Sequence, residues 1–404
     1  MIGELKKEDI YTLPFWLLCL STFLFFTSFN MIIPELPAYL DTMNGGEYKG
    51  LIIALFTLMA GISRPFSGKL SDTIGRVPVM VFGVFVSAFC ALLYPLASSV
   101  FFLLLLRFIH GFSTGFKPTG TSAFLADIIP ADRRGEAMGL FGFFSSLGMG
   151  VGPAISTPIK ELYSLDILFY SSSVLSLLSV VILFGLEETL KEKEPFRWGL
   201  LKIKSDEIVE VKALPPALVM ILITLGSGVV FTLIPDFSVH LGESNKGMFY
   251  AYYTGATVIV RLLLGKASDI YGRVPIMLIS VIILSISMFV IGSATTAFYF
   301  YFGAILFGLG FGLGSPTIIA WTIDVSNPKY KSRALATMYL ALEIGIGMGA
   351  FGSGWIYKND INFLSTSFYI AGFANIAAIF YLMYEGRRIK KNQPKNSYVF
   401  IKGN

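Results

Sequence analysis

Charge is scarce in this chain of 404 residues: Asp, Glu, Lys and Arg make up 14% of it, where about 25% is usual for a soluble domain. That shortage excludes an ordinary water-soluble protein. Cysteine is scarcer still. The two present, Cys19 and Cys90, fall inside apolar runs, so no disulfide framework is expected, and neither has the spacing of a metal ligand. No G-x-x-x-x-G-K-S/T run occurs, which removes ATP hydrolysis within the chain as an energy source. The net charge is only +5, and the basic clusters sit between apolar runs and interleave with acids, so nucleic acid is not an expected partner.

Apolar sequence fills the space. Hydrophobic residues make up 54% of the chain and mean hydropathy is +0.71. A bilayer span needs roughly 20 apolar residues, and twelve are expected, at about 14–40, 48–68, 78–97, 100–127, 134–159, 166–186, 214–241, 247–265, 275–294, 297–325, 332–356 and 364–385. Lys and Arg concentrate in one set of alternating loops, and only Lys49, Lys160, Lys246 and Lys358 fall in the other set. The positive-inside rule then puts both termini in the cytoplasm. Lys6 and Lys7 precede the first apolar run as in a signal peptide, but that run is too long and is expected to stay as the first helix. Outer loops as short as 98–99 and 293–296 leave no room for an extracellular domain.

The chain is also duplicated. Gly68–Met80 reads GKLSDTIGRVPVM, and 197 positions later Gly265–Met277 reads GKASDIYGRVPIM, with nine of thirteen residues identical. At the same offset Arg64 maps to Arg261, Asp127 to Asp324, Ala137 to Ala334, Gly148 to Gly345 and Gly152 to Gly349; earlier, at an offset of 201, Ile33-Pro34-Glu35 maps to Ile234-Pro235-Asp236. Duplication in an apolar chain is the sign of a transporter built from pseudo-symmetric halves with its site between them. The expected units are a first six-helix bundle at 1–186, a cytoplasmic linker at 187–213 and a second bundle with a short tail at 214–404. The linker holds seven acids and six bases. Phe196, Trp198, Leu200, Leu201 and Ile203 allow it either to lie on the inner leaflet or to be a solvated tether.

The repeated cassette resembles the loop signature G-x-L-a-D-r-x-G-r of the major facilitator superfamily, here Gly68, Asp72, Gly75 and Arg76, and again Gly265, Asp269, Gly272 and Arg273. Glycines let two helix ends approach, and Asp72 can face the positive N-terminal end of a neighbouring helix. The resemblance places Asp127 opposite Arg76 and Asp324 opposite Arg273, as a conformational latch or a static brace; Thr73 and Ile270 depart from the family's basic residue. It also implies an all-α membrane protein with twelve helices in two pseudo-symmetric bundles. Span four carries a stretch similar to the family's l-x-x-x-R-x-x-q-G, with Arg107, His110 in place of Gln, and Gly111. A charge at mid-bilayer costs about 2.5–3.5 kcal/mol on insertion scales, so Arg107 needs a wet cavity or a partner. Lys117 lies seven residues beyond His110 on nearly the same face, which suggests a cationic stripe. Span five, with Gly139, Gly148, Gly152, Pro153 and Ser156, resembles the antiporter signature G-x8-G-x3-G-P-x2-G, which within the family belongs to exporters. Generic glycine packing is the alternative.

Three intramembrane acids bear on energy coupling. Glu343 is about twelve residues into span eleven, while Glu35 and Asp236 follow prolines near the outer ends of spans one and seven. A carboxyl in apolar surroundings can exchange a proton near neutral pH. Glu343 is also expected at the depth of Lys117, so an ion pair between them is an open alternative. The glycines at 308, 310, 312 and 314 have no preceding strand and are expected to pack helices. Gly111–Gly115 matches G-x-S-x-G without a catalytic context.

The expected function is secondary active transport by alternating access, with proton-coupled efflux of a small organic solute or drug as the first reading. Here Glu343, with Glu35 or Asp236, carries protons, Arg107 tunes them, and Phe26, Asn30, Arg107, His110, Lys117, Tyr253 and Trp321 line the substrate path. The alternatives are a proton symporter importing an organic anion or sugar, and a lipid translocator. No catalytic residue, metal or cofactor is expected. The expected partners are a small-molecule substrate and the lipid bilayer, the working unit a monomer, and the location a bacterial plasma membrane.

Overall fold

The computed structural model describes residues 11–129, 134–203, 209–265, 267–326 and 331–392. Lys6, Lys7, Lys266 and the end of the tail lie outside the described residues. Among the described residues twelve long helices dominate: α1 (Leu13–Met31), α2 (Lys49–Thr73), α3 (Arg76–Leu93), α4 (Val100–Ile128), α5 (Arg134–Leu162), α6 (Leu165–Phe184), α7 (Leu214–His240), α8 (Met248–Leu264), α9 (Arg273–Gly292), α10 (Ala297–Val325), α11 (Lys331–Tyr357) and α12 (Leu364–Asn392). Each expected span falls on one of them. In lipid every backbone N–H and C=O must be satisfied within the chain, and a helix does so along its length. Ends are set by familiar devices: Ser99 and Ser164 accept from Phe102 N (3.3 Å) and Ile167 N (3.2 Å) to start α4 and α6. Eleven helical spans among the described residues are long and apolar enough to cross a membrane. The shorter one, α8, has 17 residues, or about 26 Å at 1.5 Å each. A five-residue helix, Ala267–Tyr271, takes the chain on from it.

Packing repeats as the sequence does. In the first half α1 packs on α5 and α6, α2 on α4, and α3 on α4 and α6; in the second α7 packs on α11 and α12, α8 on α10, and α9 on α10 and α12. Each half has its own apolar core, with Phe15, Phe25, Tyr94, Phe124 and Phe169 in one and Phe237, Phe249, Phe300, Phe307 and Phe368 in the other. Serines join α1 to α6: Ser21 to Ser179 at 2.8 Å and Ser28 to Ser176 at 2.6 Å. Such bonds average about 0.6 kcal/mol in membranes, so they fix register more than they add stability. The α10 glycines pack helices on two faces: Gly308 and Gly312 lie against Tyr253, Thr257 and Val260 of α8, Gly310 and Gly314 against Leu284 and Ser280 of α9. The halves meet along a seam where α2 faces α11 and α5 faces α8.

Candidate transport site at the seam

Polar bonds cross this seam from the end opposite the termini, here the far end, down to its middle. At the far end α1 breaks at Pro34, and the following turn holds Glu35, fully buried. Its carboxylate accepts from Thr157 Oγ1 (2.8 Å), from Lys160 Nζ at the end of α5 (2.8 Å) and, across the seam, from Lys246 Nζ (2.9 Å). Asp236, after Pro235 of α7, accepts from Lys49 Nζ of the first half at 2.7 Å; the same ammonium reaches Asp41 and Asn359, each at 2.7 Å. The acids are repeat mates, and so are Lys49 and Lys246, 197 positions apart. Each half therefore offers an acid to the other half's lysine. Backbone closes in alongside: Gly50 packs on Ala350 and Gly354, and Gly247 on Pro153.

Halfway along the seam Arg64 of α2 donates from Nη2 to Glu343 Oε1 of α11 at 2.9 Å, with its guanidinium 4.8 Å from the Tyr339 ring centroid. Glu343 does not pair with Lys117. The two share a depth but not a face: Glu343 looks across the seam, whereas Lys117 points into the first half, bonded to Thr22 Oγ1 and 5.6 Å from the Phe25 ring centroid. On the other side of the seam Arg261 of α8 donates from Nη1 to Ser146 Oγ of α5 and from Nη2 to Ser315 Oγ of α10, both at 2.7 Å.

The expected cationic stripe is not a wet wall in this conformation. Arg107, His110 and Lys117 are fully buried in the first bundle. Arg107 donates to the Ile52 carbonyl (3.0 Å) and stacks over Phe56 (4.4 Å), and His110 lies between Ser87 (3.0 Å) and Tyr94 (3.1 Å). Helix α4 turns them inward because the neutral partners they need are on α1, α2 and α3. Of the other path candidates, Asn30 is buried and spends its amide on the Phe26 carbonyl (2.8 Å), Tyr253 packs on Phe307 and Phe311, and Trp321 is buried with no acceptor for its Nε1. Phe26 is half-buried against Phe25 and Phe29.

Near the terminal end Arg76 bonds Asp72 (2.6 Å) and Asp127 (3.2 Å), and Arg273 bonds Asp269 and, at 2.8 Å, Asp324. Gly75 and Gly272 open α3 and α9 at φ +126° and +90°. Asp72 does not cap α3, since it is held by Arg76. That place belongs to Glu188 of the linker, which accepts from Arg76 N and Val77 N at 3.0 Å each. The described first part of the linker, 187–203, is thus not a free tether. It straps the first half, with Thr189 on Asp127 (2.7 Å), Glu194 N on the Thr73 carbonyl (2.9 Å) and Leu200 and Leu201 against the Leu70–Phe116 cluster. In α5, Gly148 and Gly152 pack on α1, while Gly150 and Pro153 face the seam; Gly139, like Gly68 and Gly265, does not meet the other half. Sequence reasoning passes over Arg64 and Arg261, seen only as repeat markers, and over the lysines at 49, 160 and 246, seen only as loop charges. For Arg64 and Arg261, and for Lys49 and Lys246, identity at the repeat offset is the signal that would have raised them; Lys160 has no such mate.

Two like-folded bundles of six membrane helices, closed on each other by buried charges, define an integral, multi-pass membrane transporter. The profile of the Major Facilitator Superfamily matches residues 18–252 and 216–400, and the chain belongs to that superfamily. A transporter of this type from Methanocaldococcus jannaschii, itself uncharacterised, is 23% identical over 88% of this chain and 92% of its own length. The staphylopine export protein of Staphylococcus aureus is 25% identical over 83% and 87%, and a multi-drug resistance efflux pump PmrA homolog of Lactococcus lactis is 25% identical over 80% and 83%. Among solved structures, the human organic anion transporter MFSD10 (TETRAN) superposes with a TM-score of 0.72 at 16% identity, covering 91% of this chain and 98% of that one. Peptide transporter POT in complex with sulfate gives 0.76 at 13%, covering 94% and 95%. These structures share the fold. Relatives and structural neighbours are transporters, not enzymes.

Proposed function

We infer that this protein exports a small organic solute in exchange for protons, with the two halves rocking about the seam. The observation that carries the reading is the Arg64–Glu343 pair, a carboxylate of one half joined to a guanidinium of the other midway along the seam at 2.9 Å. A proton on Glu343 removes the charge that holds Arg64 across the seam. At an effective dielectric near 20 that attraction is on the order of 4 kcal/mol. One proton crossing 100 mV supplies about 2.3 kcal/mol, so one or two protons per cycle match the size of the link. Export, rather than import, is supported by relatives named for export and efflux and by the span-five glycines. In this reading the termini are cytoplasmic, the membrane is a bacterial plasma membrane, the far-end ion pairs are the outer gate, and one chain, holding both halves, is the working unit. No cofactor is needed beyond the proton gradient.

The test is solute flux in proteoliposomes with an imposed pH gradient, across dyes, organic anions and amphiphilic cations, for the unmodified chain and Glu343→Gln. Gradient-driven flux that collapses in the variant is expected. Undiminished flux in Glu343→Gln would move coupling to Glu35 or Asp236, and accumulation with, rather than against, the proton flow would make the protein an importer.

A further inference from the structure

The repeat makes the seam two versions of one site, and the second version lacks its acid. At the offset of 197, Arg64 corresponds to Arg261, Ser146 to Glu343 and Gly142 to Tyr339. Arg64 receives a carboxylate from across the seam and an aromatic ring beside it. Arg261 reaches across the same seam in the opposite sense and meets a hydroxyl, Ser146 Oγ, where its mate meets Glu343. A Cβ built on Gly142 would lie 3.9 Å from Arg261 Nη1, so the position that bears the phenol ring in one copy bears a hydrogen in the other. Both guanidinium groups keep a buried Nε with no acceptor, yet Arg261 alone of the two forms no ion pair among the described residues.

An arginine stays charged at any physiological pH, and a charge deep in a membrane is stable only beside water or a counter-charge. Two serine hydroxyls orient the fork of Arg261 without neutralising it. Arg107 and Lys117 are also held by neutral groups, so the middle of the protein is short of negative charge. Carboxylates fit a guanidinium fork in a planar, two-bond geometry that hydroxyls cannot match. We propose that Arg261, flanked by Ser146 and Ser315, is the docking point for the carboxylate of the transported solute, and that Gly142 leaves room for the solute's apolar or aromatic body. The cargo plays toward Arg261 the part that Glu343 plays toward Arg64. This deepens the transport reading of the seam and rests on it.

The experiment is thermal unfolding of the full chain in detergent and chloride-free buffer, with three probes of one shape: 2-naphthoate, 2-naphthamide and 2-naphthylmethylammonium. A saturable rise in melting temperature with naphthoate alone is expected. Ser146→Glu, which gives Arg261 an internal carboxylate, and Arg261→Gln are each expected to raise the half-saturating concentration at least tenfold. A variant counts only if it melts cooperatively without probe, and either one suffices. An equal response to the amide or the ammonium, a naphthoate response surviving both variants, saturation by chloride alone, or no response to naphthoate would each overturn the proposal. Because this readout needs no gradient, its failure is separable from failure of transport. Gradient-driven flux of a solute without a carboxylate would sink the docking site and leave export standing, while naphthoate docking without gradient-driven flux of any solute would do the reverse.

Discussion

At the far end the halves trade like for like: Glu35 takes Lys246, and its repeat mate Asp236 takes Lys49, the mate of Lys246. Halfway down, the trade is unequal, for Arg64 takes Glu343 whereas Arg261 takes Ser146. The difference teaches where duplication is tolerated. A gate that only has to close works with two copies of one clasp. On the exchange reading proposed above, the middle of the seam has to tell a proton from a cargo, and two identical copies cannot do that.

The comparison is broken most severely at its centre. Glu343→Ala leaves Arg64 buried beside no counter-charge, and losing one member of a buried pair costs about 3–5 kcal/mol. Its mate, Ser146→Ala, removes one hydrogen bond to Arg261, a change of about 1.5–3 kcal/mol for a bond to a charged group. Melting temperatures of the two purified variants should fall in that order, and equal falls would erase the asymmetry claimed here. The far end should respond more evenly. Glu35→Gln strips a fully buried carboxylate from two lysines, whereas Asp236→Asn leaves Lys49 with Asp41 and Asn359. The first is therefore expected to cost about 2 kcal/mol and the second about 1. Accessibility of introduced far-end cysteines to a water-soluble maleimide should rise in the same order. The repeated loop near the terminal end carries a contrast of its own. Gly75→Ala forces a side chain to φ +126°, about 1–3 kcal/mol, and against the Glu188 carboxylate, while Gly68→Ala meets nothing within 4 Å and is the smallest change of all, expected to be silent in the same melting assay.

Which of these features the sequence discloses follows from how each is encoded. Helix number and duplication are written in apolar runs and in a repeated cassette, signals that survive an error of a few residues. Which way a side chain points is not, because each residue turns a helix by about 100°, as 3.6 residues per turn requires. Glu343 and Lys117 illustrate the loss: equal depth suggested a pair, and rotation put one at the seam and the other in the first core. Rotation also took Arg107 and His110 inward. The linker escaped for a different reason. Glu188 caps α3 from more than a hundred residues away, and composition cannot show a contact between a charged loop and a helix end. What the repeat did hold, unread, was the swapped lysines and the missing acid opposite Arg261.

The central claim is that the charge on Glu343 sets how the halves sit. Spin labels at Gly139→Cys in α5 and Ile270→Cys beyond α8, both exposed near the terminal end, report that arrangement, since Cys19 and Cys90 are buried. Pulsed-resonance distances should be taken from pH 8 to pH 5 with Glu343 intact and with Glu343→Gln. With Glu343 present the distribution should shift as pH falls, and in the Gln variant it should hold the low-pH distribution throughout. The same pH-dependent shift in both proteins would contradict the account.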